Sequence, residues 1–339
     1  TPTSFTEFMA KSALQKALAT ESQILNLRIL DNACGSGHFL HEILNQVTQY
    51  AYEHIEEQTD LALSLQTEKV LITKNVERYL GENVQIDELV LLKRLLLKKI
   101  IFGIDLNPFA VELTRLSLWL DTFILGTPLS FIEHHIKQGN ALIGSKIQAL
   151  YQKLTEKSVL ARERIEEELN SLTSRLERLS DLKDTTTEEI KASKEIYRDL
   201  QIPLKKLKKV LDFLAYEEFI PFEYTDKETR AEKMKQINGS YERFMADILE
   251  GERQDLLEEI NTISEKYHFF HYEIEFAEIF QKSPKGFHCI IGNPPWDKTK
   301  FDDKDFFPQY RSSYRTLRQS EKEKIRKEVL EYAHVQKAY

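Results

Sequence analysis

Two short apolar runs end in an aspartate, and each is followed at once by the start of a helix. Arg28-Ile29-Leu30 leads to Asp31 and a turn with two glycines, and Lys99-Ile100-Ile101-Phe102-Gly103-Ile104 leads to Asp105 and Pro108. A strand that runs straight into a helix cannot turn back as a hairpin. It pairs with the next strand only through a crossover, which builds a parallel sheet. Ile136-Lys137-Gln138 reads as a weak third strand. His288-Cys289-Ile290-Ile291-Gly292 reads as a fourth, apolar enough to be covered on both faces. Helical spacing fills the gaps: residues 4–19, with apolar residues at Phe5, Phe8, Met9, Ala13, Leu14 and Leu18, Thr3 or Ser4 as cap and a Ser4–Glu7 capping box, a stretch built on Leu89, Leu92, Leu95 and Leu96, and Phe109 to Phe123. The expected fold class is α/β, a doubly wound, mostly parallel sheet.

Residues 145–275 break this rhythm. No glycine occurs between Ser145 and Asn238. Leu169, Leu172, Leu176 and Leu179 repeat at three and four, as do Leu200, Leu204, Leu207, Leu211 and Leu214. Thr186 and Glu189 form a capping box between them, which predicts a helical hairpin with a coiled-coil seam. A further seam uses Leu256, Ile260, Ile263 and Tyr267. The expected organisation is a first part of the main domain over 1–144, a helical insertion over 145–267 and a second part over 268–339. The insertion reads as a packing element or as an arm on DNA. Its Lys205, Lys206, Lys208 and Lys209 suit a solvated face at least as well as phosphate contacts.

The net charge of −8 is wrong for a chain that grips phosphates over its whole surface, so strong DNA contact is expected to be local or supplied elsewhere. Cys34 and Cys289 are the two cysteines and lie in unrelated contexts, which fits a reducing cytoplasm better than a disulfide framework. No apolar run is long enough to span a bilayer, and no membrane partner is expected. The chain is expected to be a piece of a longer protein.

Four short motifs carry the chemistry. In Asp31-Asn32-Ala33-Cys34-Gly35-Ser36-Gly37-His38-Phe39 a strand turns sharply into a helix whose free N–H groups face a ligand, although a plain tight turn satisfies the same pattern. In Gly103-Ile104-Asp105-Leu106-Asn107-Pro108 the carboxylate suits the two hydroxyls of a ribose, or else caps the next helix. The first turn lacks the third glycine of the dinucleotide fingerprint, which disfavours a nicotinamide cofactor. In Gln138-Gly139-Asn140-Ala141-Leu142-Ile143-Gly144, Asn140 is either a loop residue or a partner for an adenine edge. In Ile290-Ile291-Gly292-Asn293-Pro294-Pro295-Trp296 two prolines remove N–H donors and leave the Asn293 side-chain oxygen and the Pro294 carbonyl as acceptors, with Trp296 as a flat face. A planar heterocycle with an exocyclic amine meets those demands, and in a duplex such a base must first flip out.

These segments, in this order, resemble the motifs of amino-methyltransferases, and Thr1-Pro2-Thr3-Ser4-Phe5 resembles the segment that precedes them in the gamma class of N6-adenine DNA methyltransferases. Ser117 to Leu120 and His271 to Phe280 resemble flanking segments of the fused restriction–modification subset. The resemblance covers residues 1–50, 99–145 and 268–310. It implies a Rossmann-like fold and S-adenosylmethionine as cofactor. Asp31, Ala33, Cys34, Gly35, Gly37 and Phe39, with Thr1 and Pro2, would lie about its methionine end. Asp105 would hold the ribose, Leu106 would pack on the adenine, and Asn140 and Ala141 would line its edge. Relatives often have Asp at the position of Asn140 and Tyr at that of Trp296. Asn293, Pro294, Pro295 and Trp296 would hold the target adenine for direct in-line methyl transfer. No metal is implied, and DNA would be read mainly by a target-recognition domain beyond this chain, with a nuclease fused in some members. Two other readings stay open: methylation of RNA or of a protein glutamine, and a scaffold that keeps the fold without catalysis.

Overall fold

Among the described residues, four parallel strands lie in the order β3-β2-β1-β4 in a computed structural model of the chain. It describes residues 2–80, 86–124, 127, 132–153, 159–182, 186–224, 226–238, 254–281, 285–294, 303, 307, 310–311, 313–314 and 317–332. The strands are β1 (Ile29–Asp31), β2 (Ile101–Asp105), β3 (Ile136–Gln138) and β4 (Cys289–Ile290). Register pairs Asp31 with Gly103, Asp105 with Gln138, and Leu30 with Ile290. The chain winds outward from β1 to β3 and then returns to the other side of β1. That reversal makes the carboxyl end of β1 the switch point, where parallel sheets leave a crevice.

Helices α1 (Thr3–Thr20), α2 (His38–Glu53), α3 (Thr59–Leu80), α4 (Glu88–Ile100) and α5 (Pro108–Asp121) accompany the strands. Their buried faces join β1 and β2 in one core built on Leu14, Leu40, Ile43, Leu92, Leu96 and Ile101. Three expectations are corrected here. Helix α1 starts at Thr3 after Pro2 with no side-chain cap, so the Ser4–Glu7 box is not formed. The Pro2 carbonyl instead accepts the N–H groups of Phe5 and Thr6. Helix α1 buries Thr6, Ala10, Leu14 and Ala17, while Phe5 and Phe8 lie outward, because the face set by Ala10 and Ala17 is the one that approaches α2 closely. In α4 Leu92, Leu95 and Leu96 are buried as expected, and Leu91 with them, while Leu89 of the expected stripe is 37% exposed.

The fourth strand is also narrower than its sequence suggests. Only Cys289 and Ile290 pair, and β4 is the last described strand of the sheet. Cys289 and Ile291 pack on the core while Ile290 is 63% exposed, the alternation of a strand with one covered face.

Between β3 and β4 stand α6 (Ile147–Lys153), α7 (Val159–Asp181), α8 (Thr187–Glu223), α9 (Lys227–Asn238) and α10 (Gln254–Tyr267), followed by one-turn helices at Tyr272–Glu275 and Ala277–Phe280. The hairpin of α7 and α8 is present, and both leucine rows are buried in a second core. The Thr186 hydroxyl caps α8 by accepting the Glu189 N–H at 3.1 Å. Leu257, Ile260 and Ile263 of α10 join that core, with Leu257 buried where the sequence pattern uses Leu256, whose side chain lies outside the described residues. Two of the four lysines are engaged within the helices: Lys206 pairs with Glu168 and Lys208 with Asp212.

The chain divides into compact units at residues 1–293 and 294–339. The second has a small core of Phe307, Tyr314 and Val329 beneath the helix Gln319–Leu330. No helix among the described residues is long and apolar enough to cross a membrane. Leu92→Ala should destabilise the protein by about 2–5 kcal/mol in urea unfolding, whereas Leu89→Ala should stay within about 1 kcal/mol. Equal losses would place the buried face of α4 elsewhere.

Candidate active site

The carboxyl ends of β1 and β2 are tied together by backbone donors. The Cys34 N–H donates to the Ile104 carbonyl at 2.9 Å, and the Gly35 N–H donates to Asp105 Oδ2 at 2.8 Å. The other oxygen, Oδ1, accepts the Asn107 N–H at 2.8 Å. Asp105 is therefore not the cap of α5. Asn107 is, through its Oδ1 and the Phe109 N–H at 2.9 Å, with Pro108 at the first helical position. Each Asp105 oxygen keeps a second lone-pair direction for a ligand.

The turn bends through Gly35 and Gly37, both with left-handed backbones, and Gly37 caps α2. A Cβ on Gly37 would stand 3.0 Å from the Thr114 side chain of α5, while nothing lies within 4 Å of one built on Gly35. The Thr114 hydroxyl donates to the Gly35 carbonyl at 2.8 Å and so holds the turn from below. A threonine within a leucine-rich helix carries no sequence signal for this role.

Asp31 is buried at 1% exposure and its Oδ1 accepts the Ala33 N–H at 3.0 Å. Burial pushes its carboxyl up to about 7; the Ala33 N–H opposes the rise and the Asp105 charge adds to it. From the other side β4 presses in. The Ile291 N–H donates to the Leu30 carbonyl at 2.8 Å, and a Cβ on Gly292 would lie 2.6 Å from Asp31 Oδ1. Only glycine lets this strand end pass so near the carboxyl, and the next residue is Asn293, which is exposed.

Asp31, Ala33, Cys34, Gly35, Gly37 and Asp105 thus gather at the switch point, with Leu106 beside them and half exposed. Phe39 is 4% exposed and belongs to the main core. Asn140 Oδ1 accepts the Leu142 N–H at 3.1 Å, and the Ala141 carbonyl accepts the Tyr272 hydroxyl at 3.3 Å. Pro2 is exposed at the start of α1, and Pro294 is exposed at the start of the second unit. Thr1, Pro295 and Trp296 lie outside the described residues. Burial pushes the Cys34 thiol up to about 12 and raises that of Cys289, so neither is a thiolate nucleophile at neutral pH. No cluster of three or more metal-ligating side chains occurs among the described residues.

All-parallel pairing, a reversed strand order and a glycine turn at the switch point give the sheet the Rossmann-like form of a methyltransferase domain. The chain belongs to the Eco57I restriction-modification methylase family, whose model matches residues 99–325. The model of the MmeI DNA-methyltransferase domain matches residues 8–142. The protein is a DNA methyltransferase of the restriction–modification type. No curated protein and no solved structure matches it.

The Asp31 carboxyl yields a pH dependence. Because its folded value is raised, the folded state keeps a proton that the unfolded chain has released between about pH 4 and pH 7. Its contribution to stability is full below about pH 4 and is lost as pH rises through 7, by roughly 4 kcal/mol at most. Asp31→Asn removes the titration, so the variant should gain on the parent steadily from pH 4.5 to pH 7.5 in urea unfolding. Parallel pH profiles for the two proteins would show that Asp31 ionises in the fold as readily as in solution.

Proposed function

We propose that this domain transfers a methyl group from S-adenosylmethionine to the N6 amine of an adenine flipped out of DNA. The observation that carries the reading is the approach of Gly292 to Asp31, because it brings the residue before Asn293 to the cluster that includes Asp105. Membership of a DNA-methyltransferase family favours DNA over RNA or a protein glutamine, and the intact pair of Asp105 and Asn293 favours catalysis over a scaffold role.

The residues at the switch point fit the cofactor. Asp105 has unused lone pairs for ribose hydroxyls. The open side of Gly35 admits a close ligand, and the Asp31 carboxyl offers a charge partner to an ammonium group, which would draw off its proton. Leu106 supplies apolar contact for the adenine, and Asn140 its amide. Phe39 supports the turn from the core, and Thr1 and Pro2 belong to the methionine side. When bound, S-adenosylmethionine supplies an electrophilic methyl group.

The chain's own part is to orient the amine. Asn293 Oδ1 and the Pro294 carbonyl accept its two N–H bonds, which leaves the nitrogen lone pair out of conjugation with the ring. Pro294 and Pro295 contribute no competing N–H, and Trp296 stacks on the base. Proximity and alignment then supply much of the rate. The high thiol values of Cys34 and Cys289 agree with a reaction that forms no covalent enzyme adduct.

Residues 1–144 and 268–339 form the methyltransferase core in this reading, and 145–267 is its insertion. Base recognition and any nuclease belong to further domains of a cytoplasmic restriction–modification protein, since a net charge of −8 gives DNA little general attraction.

Asn293→Ala in the full-length protein should abolish methylation of adenine in DNA, measured with tritiated cofactor, while cofactor affinity stays within a few-fold. Near-parental activity would remove Asn293 from catalysis. Asp105→Ala should weaken S-adenosylhomocysteine binding about tenfold to a hundredfold in calorimetry, the loss of a charge-assisted hydrogen bond. An unchanged affinity would exclude the ribose contact.

A further inference from the structure

The loop that follows β3 is shaped by a segment about 130 residues further along the chain. The Asn140 N–H donates to the His268 carbonyl at 2.7 Å, and the Phe270 N–H donates to the Ile143 carbonyl at 2.7 Å. A Cβ on Gly139 would fall 2.2 Å from the Phe270 ring, and one on Gly144 would fall 2.0 Å from the Phe270 carbonyl. The loop is pressed against residues 268–271 with no space for a side chain at either glycine. His268 itself has a left-handed backbone, with φ at 52°, unusual for a residue with a Cβ.

Helix α8 fixes that segment. Lys208 Nζ donates to the Phe269 carbonyl at 3.0 Å and to Asp212 Oδ1 at 3.1 Å. Asp212 Oδ1 also lies 2.8 Å from His271 Nε2, and both side chains are buried. His271 Nδ1 accepts the Ser145 N–H at 2.9 Å. That bond requires a lone pair on Nδ1, so the ring proton is on Nε2 and is donated to Asp212. One neutral imidazole thus joins the insertion to the residue that closes the Gly139–Gly144 loop. Removing it leaves the buried Asp212 carboxylate with Lys208 alone and takes from the half-buried Ser145 N–H its imidazole acceptor.

We propose that Asp212 and His271 are positioning residues for the cofactor, and that the helical insertion is the mount that holds the Asn140 loop in the shape an adenine base requires. This rests on the reading of Asn140 and Ala141 as contacts to the cofactor's base. The insertion therefore acts on affinity for the base and leaves the ribose and amino-acid ends to β1 and β2.

The test uses the whole chain and two probes in calorimetry: S-adenosylhomocysteine, and S-ribosylhomocysteine, which lacks the base. His271→Ala should weaken the first about tenfold and leave the second within twofold. In the full-length enzyme it should raise KM for the cofactor with kcat retained at saturation. His271→Asn keeps an acceptor for the Ser145 N–H and should recover part of the loss, and it stands in if His271→Ala does not fold. Equal loss for both probes, or no loss for either, overturns the mount while Asp105→Ala still weakens S-adenosylhomocysteine. A parent chain without affinity for S-adenosylhomocysteine overturns the cofactor reading, and the mount with it.

Discussion

The Gly35 N–H donated to the Asp105 carboxylate is the bond on which the site depends. It joins the turn after β1 to the end of β2, and the second carboxylate oxygen joins β2 to the start of α5. Two strands and two helix starts are held by one side chain. A carboxylate accepting backbone N–H groups in a half-buried place is a strong and directional tie. Asp31, buried at the end of β1, is the converse case. Its burial raises the carboxyl to about 7, so the centre of the domain carries a carboxyl near its point of half-ionisation at neutral pH.

Much of this was legible before any coordinates. Apolar runs that end in Asp and pass into helix starts identified β1 and β2, because no other element buries such a run and then turns so sharply. The leucine rows of α7 and α8 are legible in the same way, since a seam at three and four has only one way to be buried. Gathering Asp31, Gly35 and Asp105 at one place followed from parallel topology alone.

What the sequence hid has physical reasons. The face that α1 buries is decided by how closely α2 approaches, which favours Ala10 and Ala17 over the larger Phe5 and Phe8. Strand β4 looked covered on both sides because Ile290 and Ile291 are alike in composition, yet the pleat turns one outward. Thr114 and Gly292 act by contact across about 80 and about 260 residues of chain, for which local pattern holds no sign. The link from His271 to Ser145 is likewise invisible, although Gly139 and Gly144 announce that something passes close to the loop.

The pairing of β1 with β4 joins residues about 260 positions apart, with β2, β3 and the helices that follow β3 between them. The helices between β3 and β4 share a core that Phe269, Ile274 and Ala277 also enter. The sheet edge that bears Asn293 bears the loop-closure entropy of everything in between. That cost grows only with the logarithm of the enclosed length, so the sheet carries helices of this extent between β3 and β4 at little more expense than a short connection would bring.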